Sequence, residues 1–367
     1  MLIKKIRLNN YRNYNELQIE FSEDSNILYG DNAQGKTNIL ESIYVCCTTK
    51  SHQGSKDNEI IKIGENESHI KMYIEKNGLE HVIDMHLKKN KAKGIAINGV
   101  PIRKSSELIG MVNVILFSPE DLNIIKNGPA ERRRFLDMEL CQLDRIYIDN
   151  LSRYNKVLSQ RNHLLKQIKY DEALKDTVSV WNEQLLRYGE YIIKAREEYI
   201  DLIRPIAKDI HYTITGKKEE LDISYEPKVT VEEFRKKLEE SIDRDISQCV
   251  THYGPHRDDM KFIVGDMDMR TYGSQGQKRT SALSLKLSEI EIVKKRTNDI
   301  PILLLDDVLS ELDRNRQTYL LKCLSGIQTI ITCTGLEEFV NYNTNSSRIY
   351  KVVNGTVDSD NNHRNEV

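Results

Sequence analysis

The chain has 367 residues, 39% hydrophobic and 30% charged, with a formal net charge of −2. That length accommodates a sizeable core and more than one lobe, and no apolar run approaches the roughly 20 residues of a membrane-spanning helix. The near-zero net charge makes no whole-chain case for nucleic acid, so any such surface has to be a local patch.

The N-terminus, MLIKKIRLNNYRNY, mixes charged and apolar residues and lacks the apolar block of a signal peptide, so the expected compartment is the cytosol. Six scattered cysteines (Cys46, Cys47, Cys141, Cys249, Cys323, Cys333) form no CxxC pair and no zinc spacing. They are expected to be reduced and mostly buried.

In chain order, IKKIRLNNY alternates as a strand does, and LQIEF and NILYG follow within the first 30 residues. A helix is expected from about Lys36 to Cys47. Residues 68–100 read as an antiparallel meander, with Asn77-Gly78 between alternating runs as the hairpin turn. From about Pro129 to Ile210, apolar residues recur at three- and four-residue steps (Leu136, Leu140, Leu143, then Leu151, Tyr154, Leu158, Leu165), which is helical periodicity. Two long helices, roughly 145–170 and 174–209, would form a hairpin with arms of about 40–50 Å at 1.5 Å per residue. Strand character returns at HYTIT, ELDISY and MKFIVGD. A helix from about Gln277 to Lys295, the strand PILLLDD and a final helix–strand alternation close the chain.

The expected class is α/β, with one sheet-bearing lobe assembled from both ends of the chain. Residues 1–128 supply its first half with an antiparallel subdomain, 129–250 a helical insertion, and 251–358 its second half; the polar tail 359–367 reads as disordered.

Gly30-Asp31-Asn32-Ala33-Gln34-Gly35-Lys36-Thr37 fits GxxxxGK[ST], with a strand leading in and an amphipathic helix leading out. Glycines let the backbone curl so that successive N–H groups face an anion, and the helix adds its positive end. Lys36 supplies a point charge to the β/γ-phosphates of ATP, and the Thr37 hydroxyl a ligand to Mg²⁺. In Pro301-Ile302-Leu303-Leu304-Leu305-Asp306-Asp307, four successive apolar residues imply a strand buried on both faces. Its carboxylates lie at the C-terminal end, where ligands bind in open α/β sheets. Asp306 is expected to hold Mg²⁺, directly or through water, and Asp307 to polarise the attacking water. Ser310-Glu311-Leu312-Asp313 also reads as a helix N-cap with acidic first-turn residues.

Tyr272-Gly273-Ser274-Gln275-Gly276-Gln277-Lys278 opens a helix and resembles the signature loop of ABC-type ATPases. With the phosphate loop, LLLDD and SELD, the order resembles the SMC-like branch of that superfamily. More closely, the chain resembles the RecF family of bacterial DNA replication and repair proteins. The residues that carry this are Asn10 to Tyr14, GDNAQGKTN, Phe117 to Leu122, Gly128-Pro129 running into Arg132 to Asp137, Gly254-Pro255-His256-Arg257-Asp258-Asp259, GSQGQK and LLLDDVLSELD.

The resemblance implies an ABC-type head with a compact helical lobe in place of a coiled coil. It also implies slow, switch-like hydrolysis of Mg-ATP, sequence-independent binding of single- and double-stranded DNA, an ATP-clamped head-to-tail homodimer, and RecO and RecR as partners. In that dimer Ser274, Gln275, Gly276, Gln277 and Lys278 would act in trans, and the loop from Ser310 to Asp313 would lie at the interface. Arg12 would lie near the phosphates of its own loop. The chain departs from the family pattern at Gln53, at Lys278, and at Thr332 and Thr334, which stand where transporter ATPases keep a switch histidine.

Candidate DNA patches are Lys88, Lys89, Lys91 and Lys93 in a hairpin turn, Arg103-Lys104, the Arg132–Arg134 run, and Lys156, Arg161 and Lys166 on the first long helix. Such contacts give salt-dependent, sequence-independent affinity. Arg132–Arg134 reads equally as an anchor to carboxylates, because Arg forks suit bidentate pairing. Two rivals stay open on the residues: a small-molecule P-loop kinase, and a transporter ATPase subunit.

Overall fold

The N-terminal alternation forms strands Leu2–Tyr11 and Tyr14–Glu20, and the meander forms Glu67–Lys76, Leu79–Lys88, Gly94–Ile97 and Val100–Pro101. In the computed structural model, which describes residues 1–336 and 347–359, these six strands make one antiparallel sheet. Asn77 and Gly78 both take positive φ, 53° and 73°, as a tight two-residue hairpin requires. The pairing Ile6 to Met72, Leu8 to Ile70 and Ile70 to Met85 aligns one apolar face, which is buried throughout. A one-residue slip would turn that face to solvent, so the pattern fixes the register.

A second sheet follows the order Thr356–Ser359, Arg348–Val353, Ser25–Tyr29, Thr329–Cys333, Ile302–Asp306, Val114–Phe117. Its inner strands are parallel and only the Thr356–Ser359 edge is antiparallel. Ser25–Tyr29 and Val114–Phe117 come from the first third of the chain and their partners from the last fifth, so this sheet is assembled from both ends. Ile302 to Leu305 are fully buried, which is why that strand reads as an unbroken apolar run. Helix Lys36–Thr48 packs against three of these strands. Both sheets belong to a first compact unit, residues 1–121 and 289–367.

The second unit spans 122–288 and is inserted between the two halves of the first. Its long helices are Arg145–Ile168 and Val178–Ile214, about 36 and 56 Å at 1.5 Å per residue. HYTIT, expected as a strand, is instead the last turn of the second helix. His211 is fully buried there, and the Thr213 and Thr215 hydroxyls donate to the carbonyls of Asp209 and His211, both at 2.8 Å. Those back-bonds let β-branched residues end a helix rather than start a strand.

The boundary expected after residue 250 also moves. Asp259–Val264 pairs antiparallel with Leu221–Glu226 in a three-stranded sheet, so residues 251–288 group with the helices. From residue 360 on, the tail 359–367 lies outside the described residues. All six cysteines are free; Cys46, Cys47 and Cys333 are buried and the other three partly exposed, fewer buried than expected.

Two arginines proposed for DNA turn inward. Arg132 is 2% exposed and grips Asp259 through two bonds of 2.5 and 3.0 Å, the anchoring alternative. Arg161 is fully buried and donates to Asn182, Asp245 and Thr251 at 2.7–2.8 Å, while His252 Nδ1 lies 2.6 Å from the same aspartate. Removing one partner of such a pair strands a buried charge, which costs about 3–5 kcal/mol. Arg161→Leu is therefore expected to lower the unfolding midpoint sharply in urea; an unchanged midpoint would show that Asp245 is satisfied without it.

Candidate nucleotide site

The chain leaves strand Ser25–Tyr29 into a loop in which Gly30, Ala33 and Gly35 have φ of 151°, 64° and 111°. A Cβ on Gly30 would lie 2.3 Å from the Val352 carbonyl oxygen, and one on Gly35 would lie 2.6 Å from the Asn13 amide and 2.7 Å from the Tyr14 hydroxyl. Both glycines are thus required by backbone angle and by close approach. Helix Lys36–Thr48 begins directly after Gly35, which has no side chain to cap it, and an uncapped helix start is an anion site. The Asn38 N–H already donates to the Gly35 carbonyl at 3.0 Å, which leaves the start of the turn for a ligand.

The loop is braced from outside. Asn13 donates to the Gln34 carbonyl at 3.1 Å and accepts from Asn38 at 2.8 Å, and the Tyr14 hydroxyl donates to the Gly35 carbonyl at 3.1 Å. The Asn354 backbone N–H donates to Gln34 Oε1 at 2.5 Å. Lys36 Nζ lies across the loop, donating to the carbonyls of Gly30 and Asp31 at 2.5 and 2.7 Å. Burial lowers its pKa against the pull of Asp307, Asp306 and Asp31.

Strand Ile302–Asp306 ends beside this loop. Thr37 Oγ1 donates to Asp306 Oδ1 at 2.8 Å, joining residues 269 positions apart in sequence. Thr332 on the neighbouring strand does two things: its hydroxyl donates to the same Oδ1 at 2.8 Å and accepts from the Asp307 N–H at 3.0 Å. Asp307 itself has φ 52°, an uncommon angle for a residue with a Cβ and one that clusters at functional sites. Ser310 donates to the Asp307 carbonyl at 2.8 Å.

Burial raises the pKa of Asp306, and the two threonine hydroxyls pull it back only in part. His52 Nε2 lies 3.9 Å from Asp306 Oδ2, and burial keeps that imidazole below its ordinary pKa against the aspartate's pull. A hydroxyl and an under-compensated buried carboxylate are hard oxygen donors, which suits Mg²⁺.

Arg12 is held by partners within the protein. Its guanidinium donates to both Glu41 oxygens at 2.6 and 2.8 Å, to Ser55 Oγ at 2.7 Å and to the Glu59 carbonyl at 3.0 Å. Burial would raise the Glu41 pKa, but Arg12, Ser51 and Tyr11 outweigh it and hold the carboxyl below its usual value. The neighbours Asn13 and Tyr14 are the residues that touch the loop. Their role, like those of Glu41 and His52, was not read from the sequence, although Asn13 and Tyr14 lie inside one of the family-like segments.

Ser274 is exposed at the start of helix Gln275–Thr297; its hydroxyl accepts from the Gln277 N–H at 3.2 Å, and Gln277 Oε1 accepts from the Ser274 N–H at 3.0 Å. This reciprocal cap holds the loop's shape. Lys278 Nζ donates to the Arg270 carbonyl at 3.0 Å. Asp313 caps helix Arg314–Cys323 through the Arg316 N–H at 3.0 Å. Ser310 lies in a short 3-10 turn before it and no acidic residue occupies the helix's first turn, so the segment caps a helix at its last residue rather than its first.

Among the basic candidates, Lys93 is tied to Asp57 at 2.7 Å and to the Thr49 carbonyl at 2.6 Å, and Lys88 pairs with Glu67 at 3.1 Å. Lys89, Lys91, Arg103, Lys104, Lys156 and Lys166 are exposed. Among the described residues, no helix is long and apolar enough to cross a membrane.

A glycine cradle beside a buried aspartate, on a parallel sheet flanked by an antiparallel one and interrupted by a helical unit, defines an ABC-type P-loop ATPase head. The family model described as RecF/RecN/SMC N terminal domain matches residues 2–358. The DNA replication and repair protein RecF of Lachnoclostridium phytofermentans is 59% identical over 98% of this chain and 99% of its own. Two solved structures of the recombination mediator protein RecF in the RecFOR pathway, one RecF-ATPrS and one RecF-ATP, superpose with TM-scores of 0.90 and 0.89 at 38% and 37% identity. They cover 98% and 97% of both chains, respectively. The chain belongs to the RecF family of DNA replication and repair proteins.

Proposed function

We propose that this chain binds Mg-ATP in the loop Gly30–Thr37, is clamped by it into a head-to-tail homodimer, and in that state engages DNA in replication and repair, hydrolysing ATP slowly as a release switch. The observation that carries this reading is the Thr37–Asp306 hydrogen bond, which brings the phosphate loop and the acidic strand into one site. ATP in the relative's structure supports the nucleotide. Family membership weighs against both the kinase and the transporter alternatives.

In this reading Gly30 to Gly35 offer backbone N–H groups to the phosphates, Lys36 moves from the loop carbonyls to a phosphate oxygen, and Thr37 and Asp306 hold Mg²⁺. The ion, when bound, neutralises charge developing on the phosphoryl group. Asp307 orients the attacking water. Arg12 acts indirectly, positioning the loop helix through Glu41. Ser274 to Lys278 reach the partner protomer's nucleotide, with Ser310 and Asp313 at the same interface; the exposure of Ser274 supports this. RecO and RecR as partners, and a cytoplasmic setting, belong to the same reading, supported by the RecFOR context of the relative.

Light scattering of the full chain at saturating Mg-ATP with duplex DNA tests the dimer: twice the monomer mass is expected, and a monomer at micromolar protein would overturn it. For DNA, the exposed Lys89 and Lys91 are favoured over the tethered Lys88 and Lys93. Replacing both with Gln is expected to flatten the slope of log affinity against log salt by about 2; an unaltered slope excludes this turn. Thr332→Val keeps shape and removes the hydroxyl, so turnover is expected to fall at least about tenfold, since bonds to charged groups contribute roughly 1.5–3 kcal/mol. ATP affinity should be little changed. Normal turnover would mean that Thr332 does not position the Asp306 carboxylate and the Asp307 main chain.

A further inference from the structure

We propose that Glu67, His69 and His86 form a surface site for an imidazole-seeking divalent cation of the Zn²⁺ class, separate from the nucleotide site. Sheet geometry brings the three together. Strands Glu67–Lys76 and Leu79–Lys88 pair with His69 directly opposite His86 and Glu67 opposite Lys88. Alternate residues of a strand share a face, so all three lie opposite the buried Ile70, Met72, Met85 and Leu87.

The side chains converge further than register demands. The two imidazoles stack with centroids 4.0 Å apart and planes 15° from parallel, His86 Nε2 lies 3.2 Å from Glu67 Oε2, and one ligand atom from each residue falls within 4.8 Å of the others. In a tetrahedral zinc site with bonds near 2.0–2.1 Å, donor atoms sit about 3.3 Å apart, so the distances are close to those of a site. The exposed rings have to turn out of their stack about χ1 and χ2 to aim both in-plane lone pairs at one ion.

Two imidazoles and a carboxylate are the donor set of an open three-ligand zinc site, with a further position for water. Imidazole nitrogen favours Zn²⁺, Ni²⁺ or Cu²⁺ over the oxygen-seeking Mg²⁺, so this site and the Thr37–Asp306 pair select different ions. One competitor is present: Lys88 Nζ lies 3.1 Å from Glu67 Oε2. Both side chains are about half exposed, and such surface ion pairs are weak, so the ion displaces the lysine.

The test is calorimetric titration of the full chain with ZnCl2 in excess Mg²⁺, comparing the parent with a His69→Gln/His86→Gln double variant and with Glu67→Gln. Other histidines and cysteines can bind zinc, so the difference is what counts. The double variant is expected to lose one equivalent, and Glu67→Gln to bind that equivalent at least tenfold more weakly. Equal stoichiometry and affinity in the parent and double variant, or displacement by Mg²⁺, overturns the proposal. Should the double variant misfold, broadening of histidine ring proton resonances by Ni²⁺ in the parent decides. Selective loss of two signals, assigned by single His→Gln variants to His69 and His86, supports the site, and loss elsewhere refutes it.

Discussion

Asp307→Asn is expected to bind ATP as tightly as the parent and to hydrolyse it at least about 100-fold more slowly. Positioned acid–base groups contribute roughly 10²–10⁴-fold, and the amide retains the shape of the carboxylate while losing its charge and basicity. The backbone tolerates the change: Asp307 sits at φ 52°, where Asn is among the favoured non-glycine residues. Its N–H bond to Thr332 and its carbonyl bond from Ser310 involve the main chain and survive. Single-turnover hydrolysis alongside equilibrium nucleotide binding checks this. A variant with near-parental turnover would move the water-orienting role elsewhere, with the neighbouring His52 the first group to examine.

Where interactions are local or periodic, the sequence was readable. The glycine loop, the Asn77-Gly78 hairpin and the apolar strand before Asp306 each announce themselves within a few residues, because backbone angle and two-sided burial restrict which residues fit. HYTIT misled for the complementary reason: Thr213 and Thr215 carry strand propensity, but their hydroxyls bond back to the helix they end. Arg161 looked like a helix-surface cation, and only its partner Asp245, in a later helix, reveals that it is buried. Glu41 is hidden by distance: it acts on Arg12, 29 positions away, and no spacing within its segment marks the contact. Thr332 stands out only as the residue at the switch-histidine position; its bond to Asp306 on the neighbouring strand is not written in either segment.

The boundary near residue 250 illustrates the same limit. ELDISY and MKFIVGD were both read as strands, yet pairing between them decides which unit owns the second, and pairing is not written in either alone. The consequence is functional. Ser274 belongs to the second unit and the phosphate loop to the first, so the two loops that the proposed nucleotide sandwich needs stand on different compact units. A switch can use such a division, because nucleotide-dependent clamping needs parts that can be held together or released.

Ser274→Arg is expected to leave each protomer able to bind ATP within about twofold of the parent, and to weaken ATP-dependent dimerisation at least about 100-fold. The substitution removes the hydroxyl that caps the Gln277 N–H, a loss of about 1 kcal/mol at a helix start, which an exposed loop absorbs without unfolding the unit. What it adds matters more. In the head-to-tail reading a long cationic side chain would intrude where the partner's nucleotide has to pack, and about 2.7 kcal/mol suffices for a 100-fold loss. Ser274→Ala separates the two effects, since it removes the cap and the hydroxyl without the bulk, and should weaken the dimer far less. Sedimentation at saturating ATP in the Asp307→Asn background, where hydrolysis does not drain the complex, gives the readout. If the arginine variant still pairs as the parent does while binding nucleotide normally, the serine loop does not cover a partner's phosphates, and the switch has to work within one chain.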